Sequence, residues 1–220
     1  MNIILNEVEA RVLGCLIEKE KTTPDYYPLT LNALTNACNQ KSNRSPVVSF
    51  EETTVVRGLE SLQQKGLTEK IIKADSRVPK YQHLFGSRLD LTPREAAVLC
   101  ELMLRGPQTT GELRGRADRI YKFADIHEVE EILTGLMQRE PPFVIKLPRQ
   151  AGQKERRFAH LLSGEPYIQE PEKSVSDETA TIQVRSENQR IQKLEEDLEM
   201  LRKEFDTLRN AFNNLRSQLE

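Results

Sequence analysis

The sequence predicts a mainly α protein with small β-hairpins: tandem winged-helix (helix-turn-helix) domains followed by a C-terminal coiled-coil helix. Three observations predict it. The part of the chain up to residue 165 carries an internal repeat. Each copy of the repeat reads as helix, helix, helix, hairpin. Residues 184–220 carry an apolar heptad.

The repeat comes first. "LNEVEARVLGCL" (Leu5 to Leu16) matches "LTPREAAVLCEL" (Leu91 to Leu102), and "LTLNAL" (Leu29 to Leu34) is echoed by "QTTGEL" (Gln108 to Leu113). Val55, Leu59 and Leu62 match Val129, Leu133 and Leu136, and "KYQHL" (Lys80 to Leu84) matches "RFAHL" (Arg157 to Leu161). Four matches in one order make a duplication.

In the first copy, Asn6 and Glu9 form a capping box for a helix reaching Glu20. A second helix is expected over Thr30 to Asn39. A third is expected from Ser49 as cap, with Glu52 completing the box and Gly66 ending it. "LTEKIIK" and "KYQHLF" read as strands around the turn "ADSRVP". In the second copy, Thr92, Glu95 and Pro93 give the same helix start. Helices over Thr92 to Arg105, Thr109 to Ala117 and Asp125 to Arg139 follow, then the strands "FVIKL" and "RRFAHLL". The expected division is winged helix 1 over residues 1–88, winged helix 2 over 89–165, a linker over 166–183 and a coiled coil over 184–220.

The opening, "LNEVEARVLGCLIEKEKTTPDYYPLTLNALTNACNQKSNRSPV", resembles the start of the YceH family, a bacterial family of two winged-helix domains. The likeness runs through both copies, over residues 1–165. It implies the fold; function rests on the residues.

Residues 166–183 are polar and without apolar periodicity, which suits a linker. Val184, Ile191, Leu198, Phe205, Phe212 and Leu219 then occupy one seam position of a heptad. Leu194, Leu201, Leu208 and Leu215 occupy the other, and Glu187 is the polar exception. A lone helix has nothing of its own to bury this stripe against, so a homodimer is expected. The alternative is a helix folded back on the winged helices. A parallel pair aligns Arg190 with Glu195, Asp197 with Arg202 and Glu204 with Arg209, all attractive. An antiparallel pair sets Asp197 near Glu204 and Arg202 near Arg209, both repulsive. Phe205 and Phe212 in the seam leave a higher oligomer open.

Composition excludes several classes. No apolar run approaches a membrane span, and "MNIILNEVEA" is not a signal peptide. Three cysteines make no disulfide framework, so a reduced, cytoplasmic protein is expected. Residues 1–90 and 91–165 each hold twelve Lys/Arg against eleven Asp/Glu, while residues 166–220 hold eight against twelve. The acidic excess therefore lies in the tail. No phosphate loop or nucleophile elbow is present. His83, His127 and His160 are scattered, with His83 and His160 at matching wing positions. Cys15, Cys38 and Cys100 fall on apolar helix faces as small core residues. Neither enzyme activity nor a metal or cofactor is expected.

What remains is a surface that can meet nucleic acid. With Val55, Leu59 and Leu62 inward, the third helix of copy one presents Thr53, Arg57, Glu60, Ser61 and Gln64 outward. Thr, Arg and Gln read base edges in the major groove. In copy two the stripe is His127, Glu131, Thr134 and Gln138, with a carboxylate in the place of Arg57. Lys70, Lys73, Arg77 and Lys80 surround the first wing; Lys146, Arg149, Lys154, Arg156 and Arg157 surround the second. Glu69, Asp75 and Glu155 interrupt them. Between helices two and three, "NQKSNRSP" offers Lys41 and Arg44 with no acid nearby in sequence, beside Asn43. Two readings compete for it: a phosphate-contacting loop, or local capping by Asn39, Asn43 and Ser45.

The expectation is a dimeric protein that binds double-stranded DNA through copy one, as a transcriptional regulator or chromosome-associated factor. Its second winged helix is free for a protein partner. The alternative is a scaffold in which both winged helices bind proteins and no DNA is bound.

Overall fold

Asn6 starts the first helix as the sequence requires. Its side chain accepts from the Glu9 amide at 2.9 Å, and its own amide donates to the Glu9 carboxylate at 2.7 Å. From there the computed structural model describes residues 3–72, 78–149 and 155–166. The elements are α1 (Glu7–Thr22), β1 (Leu29–Thr30), α2 (Leu31–Cys38), α3 (Glu52–Gln64), β2 (Thr68–Ile71), β3 (Lys80–His83) and α4 (Phe85–Leu89). The second repeat follows with α5 (Pro93–Arg105), α6 (Thr110–Ala117), α7 (Ile126–Gln138), β4 (Val144–Lys146) and β5 (Phe158–His160). Among the described residues the chain is mainly helical, with two small antiparallel sheets. The linker beyond residue 166 and the coiled-coil seam, Ile191, Leu194, Leu198, Leu201, Phe205, Leu208, Phe212 and Leu215 included, lie outside the described residues.

The duplication holds at the level of strand register. In the first sheet β3 lies between β1 and β2, and Tyr81 sits opposite both Leu29 and Lys70. In the second, Phe158 sits opposite Lys146 and bridges Gln108. Those are the same positions of the repeat. A clamp is duplicated too. Lys65 at the end of α3 donates to the Ile4 carbonyl at 2.7 Å and to Glu9 at 2.6 Å. Arg139 after α7 donates to the Asp90 carbonyl at 2.8 Å and to Glu95 at 3.1 Å. The capping-box glutamates therefore both start the first helix of each copy and tie the third helix to it. Burial pushes the Glu9 carboxyl up, but the hydrogen bonds from Lys65, Ser61 and Asn6 outweigh it, leaving its pKa below the ordinary value.

The two repeats share one core, joined where α1 packs on α5. Gly14 and Cys100 hold the same position in the two copies, and they meet: the Cys100 thiol donates to the Gly14 carbonyl at 3.3 Å. A Cβ on Gly14 would lie 2.9 Å from Leu104 Cγ and Cδ2, so glycine permits this close approach. Beside the crossing runs a buried ionic network. Glu18 of α1 and Glu101 of α5, 1% and 0% exposed at their side chains, both pair with Arg119. Glu101 also pairs with Arg105 at 3.0 Å.

Three sequence expectations are corrected. Ser49 does not cap α3: the helix starts at Glu52, Glu51 is its N-cap, and no side chain bonds the cap. Helix α4 falls where the strand "KYQHLF" was expected to run on, and Asp90 at φ 50° closes it in the left-handed region. Strand β1 also lay unforeseen at the start of the second helix.

Candidate nucleic-acid interface

Helix α3 divides as its periodicity requires. Val55, Leu59 and Leu62 are buried, and Gly58 is packed against Val8. Thr53, Arg57, Glu60 and Gln64 are exposed, with Ser61 half-buried. Arg57 makes no ion pair among the described residues, so its guanidinium is available to an outside partner. Glu51 and Glu52 stand exposed at the N-terminal end of the same helix. A carboxylate there repels phosphate but can accept from a cytosine amino group. On α7, His127, Glu131, Thr134 and Gln138 are all exposed. His127 lies 3.4 Å from Glu130.

The loop between α2 and α3 behaves differently from the expectation. Arg44 is not an outward cation; it is 6% exposed. Its guanidinium pairs with Glu18 at 2.5 and 3.1 Å and donates to the Ala37 carbonyl at 3.0 and 3.2 Å. Burial draws its pKa down, but the Glu18 hydrogen bond leads the influences that leave it raised. Glu18 is the reverse case. Burial pushes its carboxyl up, and its bonds to Arg44 and Arg119 carry it below the ordinary value. The acid that sequence proximity failed to supply comes from α1. A phosphate contact by Arg44 is therefore withdrawn, since a buried, paired charge has no face to offer.

Asn43 is likewise committed, accepting from Arg105 at its side chain and from Arg44 at its carbonyl, with φ 59°. The Ser45 amide donates to the Leu104 carbonyl at 2.9 Å. Asn39 closes the loop at its base: its side chain donates to the Phe50 carbonyl at 2.8 Å and accepts from the Phe50 amide at 2.7 Å. Of the two competing readings, local satisfaction describes Asn39, Arg44 ties the loop to α1 and α2 of its own repeat, and a clasp onto the second repeat describes Asn43 and the Ser45 amide. Lys41 alone among the predicted loop cations and amides stays exposed.

In the first hairpin, β2 with β3, Lys70 is exposed and Lys80 half-buried, while Lys73 and Arg77 lie outside the described residues. In the second, Arg157 is committed to Glu112 at 2.8 Å and to the Pro107 carbonyl at 2.9 Å. Lys146 sits 5.6 Å over the Phe158 ring, Arg156 is exposed, and Lys154 lies outside the described residues. The matched strand histidines, His83 on β3 and His160 on β5, differ in surroundings. His83 lies 3.5 Å from Glu20, and its nearby imidazole leads the causes that lower the Glu20 pKa to about 2. Among the described residues His160 has no carboxylate partner, and burial pushes its pKa down to about 4. All three cysteines are buried. Among the described residues no helix is long and apolar enough to cross a membrane, and no cluster of three metal-ligating side chains is present.

Residues 5–153 match the family described as "Protein of unknown function, DUF480". A UPF0502 protein of Geobacter sulfurreducens is 58% identical over 196 residues, covering 89% of each chain. A UPF0502 protein of Geotalea uraniireducens is 58% identical over 199 residues, 90% of each. One from Koribacter versatilis is 55% identical over 175 residues, 80% of each.

Proposed function

We propose a function for a chain that belongs to the DUF480 family: it is a dimeric, tandem winged-helix protein that binds double-stranded DNA through its first repeat. One observation carries this reading. Helix α3 turns Thr53, Arg57 and Gln64 to solvent, with the guanidinium in no ion pair among the described residues, on the helix that a winged helix lays in the major groove. Lys41, Lys70 and Lys80 supply cations on the same repeat for the phosphate backbone. The role is that of a transcriptional regulator or chromosome-associated factor, without catalytic turnover. The experiment is to cross-link the protein to DNA in cells of its source, recover it, and sequence what comes with it. Enriched sites support the reading, and uniform background contradicts it.

A second reading is favoured by one residue. Glu131 of α7 stands where Arg57 stands in α3, so the second repeat faces a protein more readily than a phosphate. A protein-interaction scaffold follows if both repeats behave this way.

The heptad of residues 184–220 assembles the dimer in this proposal. Light scattering on the full chain should then give a dimer or higher oligomer at micromolar concentration, and removal of residues 184–220 should give a monomer. A monomeric full chain removes the coiled coil from the account.

A further inference from the structure

Between the two repeats lies an apolar cavity of about 300 Å³. Val8 and Arg11 of α1 line it, together with Pro46 and Phe50 of the loop before α3. Met103 of α5 and His160 of β5 line it from the second repeat. The volume sits at the small end of ligand sites, and the lining has their usual character: mostly apolar, with a few polar groups.

The polar groups carry the argument. Arg11 is 4% exposed. Its guanidinium donates to the carbonyls of Cys38 at 3.2 Å and Pro46 at 2.5 Å, and it forms no ion pair among the described residues. Two carbonyls satisfy hydrogen bonds, but among the described residues no carboxylate pairs directly with the charge: Glu18 acts on it only from a distance and is committed to Arg44 and Arg119, and buried charges are ordinarily paired. The nearby buried arginine Arg44 has its carboxylate in Glu18; Arg11 has none. Nor does the fold demand a cation at this position, because the matching residue of the second repeat is the buried Ala97. His160 repeats the pattern. Its counterpart His83 lies 3.5 Å from Glu20, whereas the buried His160 Nδ1 has neither a carboxylate nor a hydrogen-bond partner among the described residues; His83 Nε2 also lacks a hydrogen bond, so the difference between them is the nearby charge. Glu7 and Glu165 also line the cavity, but both are exposed to water, where salt screens them.

We propose that this cavity binds a compact apolar carboxylate of the size of an arylacetate. Its carboxylate lies on Arg11 beside His160, and its apolar body rests against Val8, Phe50 and Met103. The missing counterion is then supplied by the ligand, and the site stands apart from the DNA reading. The test uses the full-length, isotope-labelled protein in amide-detected NMR, with phenylacetate, phenylacetamide and 2-phenylethylamine as probes. Phenylacetate should give saturable shifts at Val8, Phe50, Met103 and His160. Phenylacetamide should bind about tenfold more weakly or worse, as expected when a charge-assisted hydrogen bond is removed. Arg11→Met should abolish the preference for the acid. Because that variant loosens the clasp loop, Ser163→Trp provides a second: it fills the cavity from an exposed position at its edge and should abolish binding of both probes. Equal binding of phenylacetate and phenylacetamide, or tighter binding of the amine, overturns the ligand class. Absent shifts, shifts away from the lining, or binding that survives Ser163→Trp overturn the site.

Discussion

Glu18→Ala should lower the unfolding free energy by about 3–5 kcal/mol, the cost of breaking a buried ion pair from one side. Arg44 would keep only the Ala37 and Asn43 carbonyls and Gln40, and its side chain is 0% exposed. Arg119 would keep Glu101 but no longer reach a carboxylate on α1. The damage falls on the junction of the two repeats, so urea unfolding followed by circular dichroism should show an earlier midpoint. A loss below about 1 kcal/mol, the scale of an exposed pair, would mean that water reaches the network and screens it.

The same carboxylate sets an acid dependence. The pKa of Glu18 is lower folded than unfolded, so its stabilisation is present above the unfolded value and is lost as pH falls through the folded one. Glu20 acts in the same direction, across the window from 4.5 down to about 2. Glu101 acts oppositely. Burial raises its carboxyl despite Arg119 and Arg105, so its contribution is present at low pH and lost as pH rises through the folded value. Acid unfolding should therefore be shallower in Glu18→Ala than in the parent.

Arg57→Ala should relax sequence preference by about 1–3 kcal/mol, the discrimination of one good bidentate base contact. Its side chain is exposed, so folding should be unaffected, and equal thermal midpoints for parent and variant would show that. Glu131→Ala, at the matching position of α7, should leave affinity unchanged or slightly tighter. Competition between recovered and scrambled duplexes measures the preference directly. An unchanged ratio in folded Arg57→Ala removes this residue from base reading.

Much of this architecture was legible in the sequence because local rules wrote it twice. Asn6 with Glu9 and Thr92 with Glu95 cap their helices, and Val55, Leu59 and Leu62 bury the stripe that period 3.6 places inward. What stayed hidden depends on partners distant in sequence. Arg44 looked free because its acid is 26 positions earlier on another helix. Ser49 looked like a cap because it precedes Glu52 at the right spacing. Instead Asn39 holds Phe50, and the helix begins later. Helix α4 carries Gly86 and Ser87 and no side-chain cap, so no local signal announced it. The Lys65–Glu9 and Arg139–Glu95 clamps could have been suspected, since the repeat places a cation at both positions, but their purpose needed the fold. The unmatched Arg11 is the converse case: the repeat alone marks it as departing from Ala97, and its burial gives the departure meaning.

The central claim is that the first repeat grips duplex DNA, and its most direct test is fluorescence anisotropy of the full-length protein on a labelled duplex across a series of salt concentrations. The account predicts that log affinity falls linearly with log salt. In Lys41→Ala the slope should be shallower by about 0.9, because one phosphate is no longer neutralised, while Glu131→Ala keeps the parent slope. No saturable binding at low salt, or a slope indifferent to Lys41→Ala and Arg57→Ala together in a folded protein, would contradict it and leave the scaffold as the reading of both repeats.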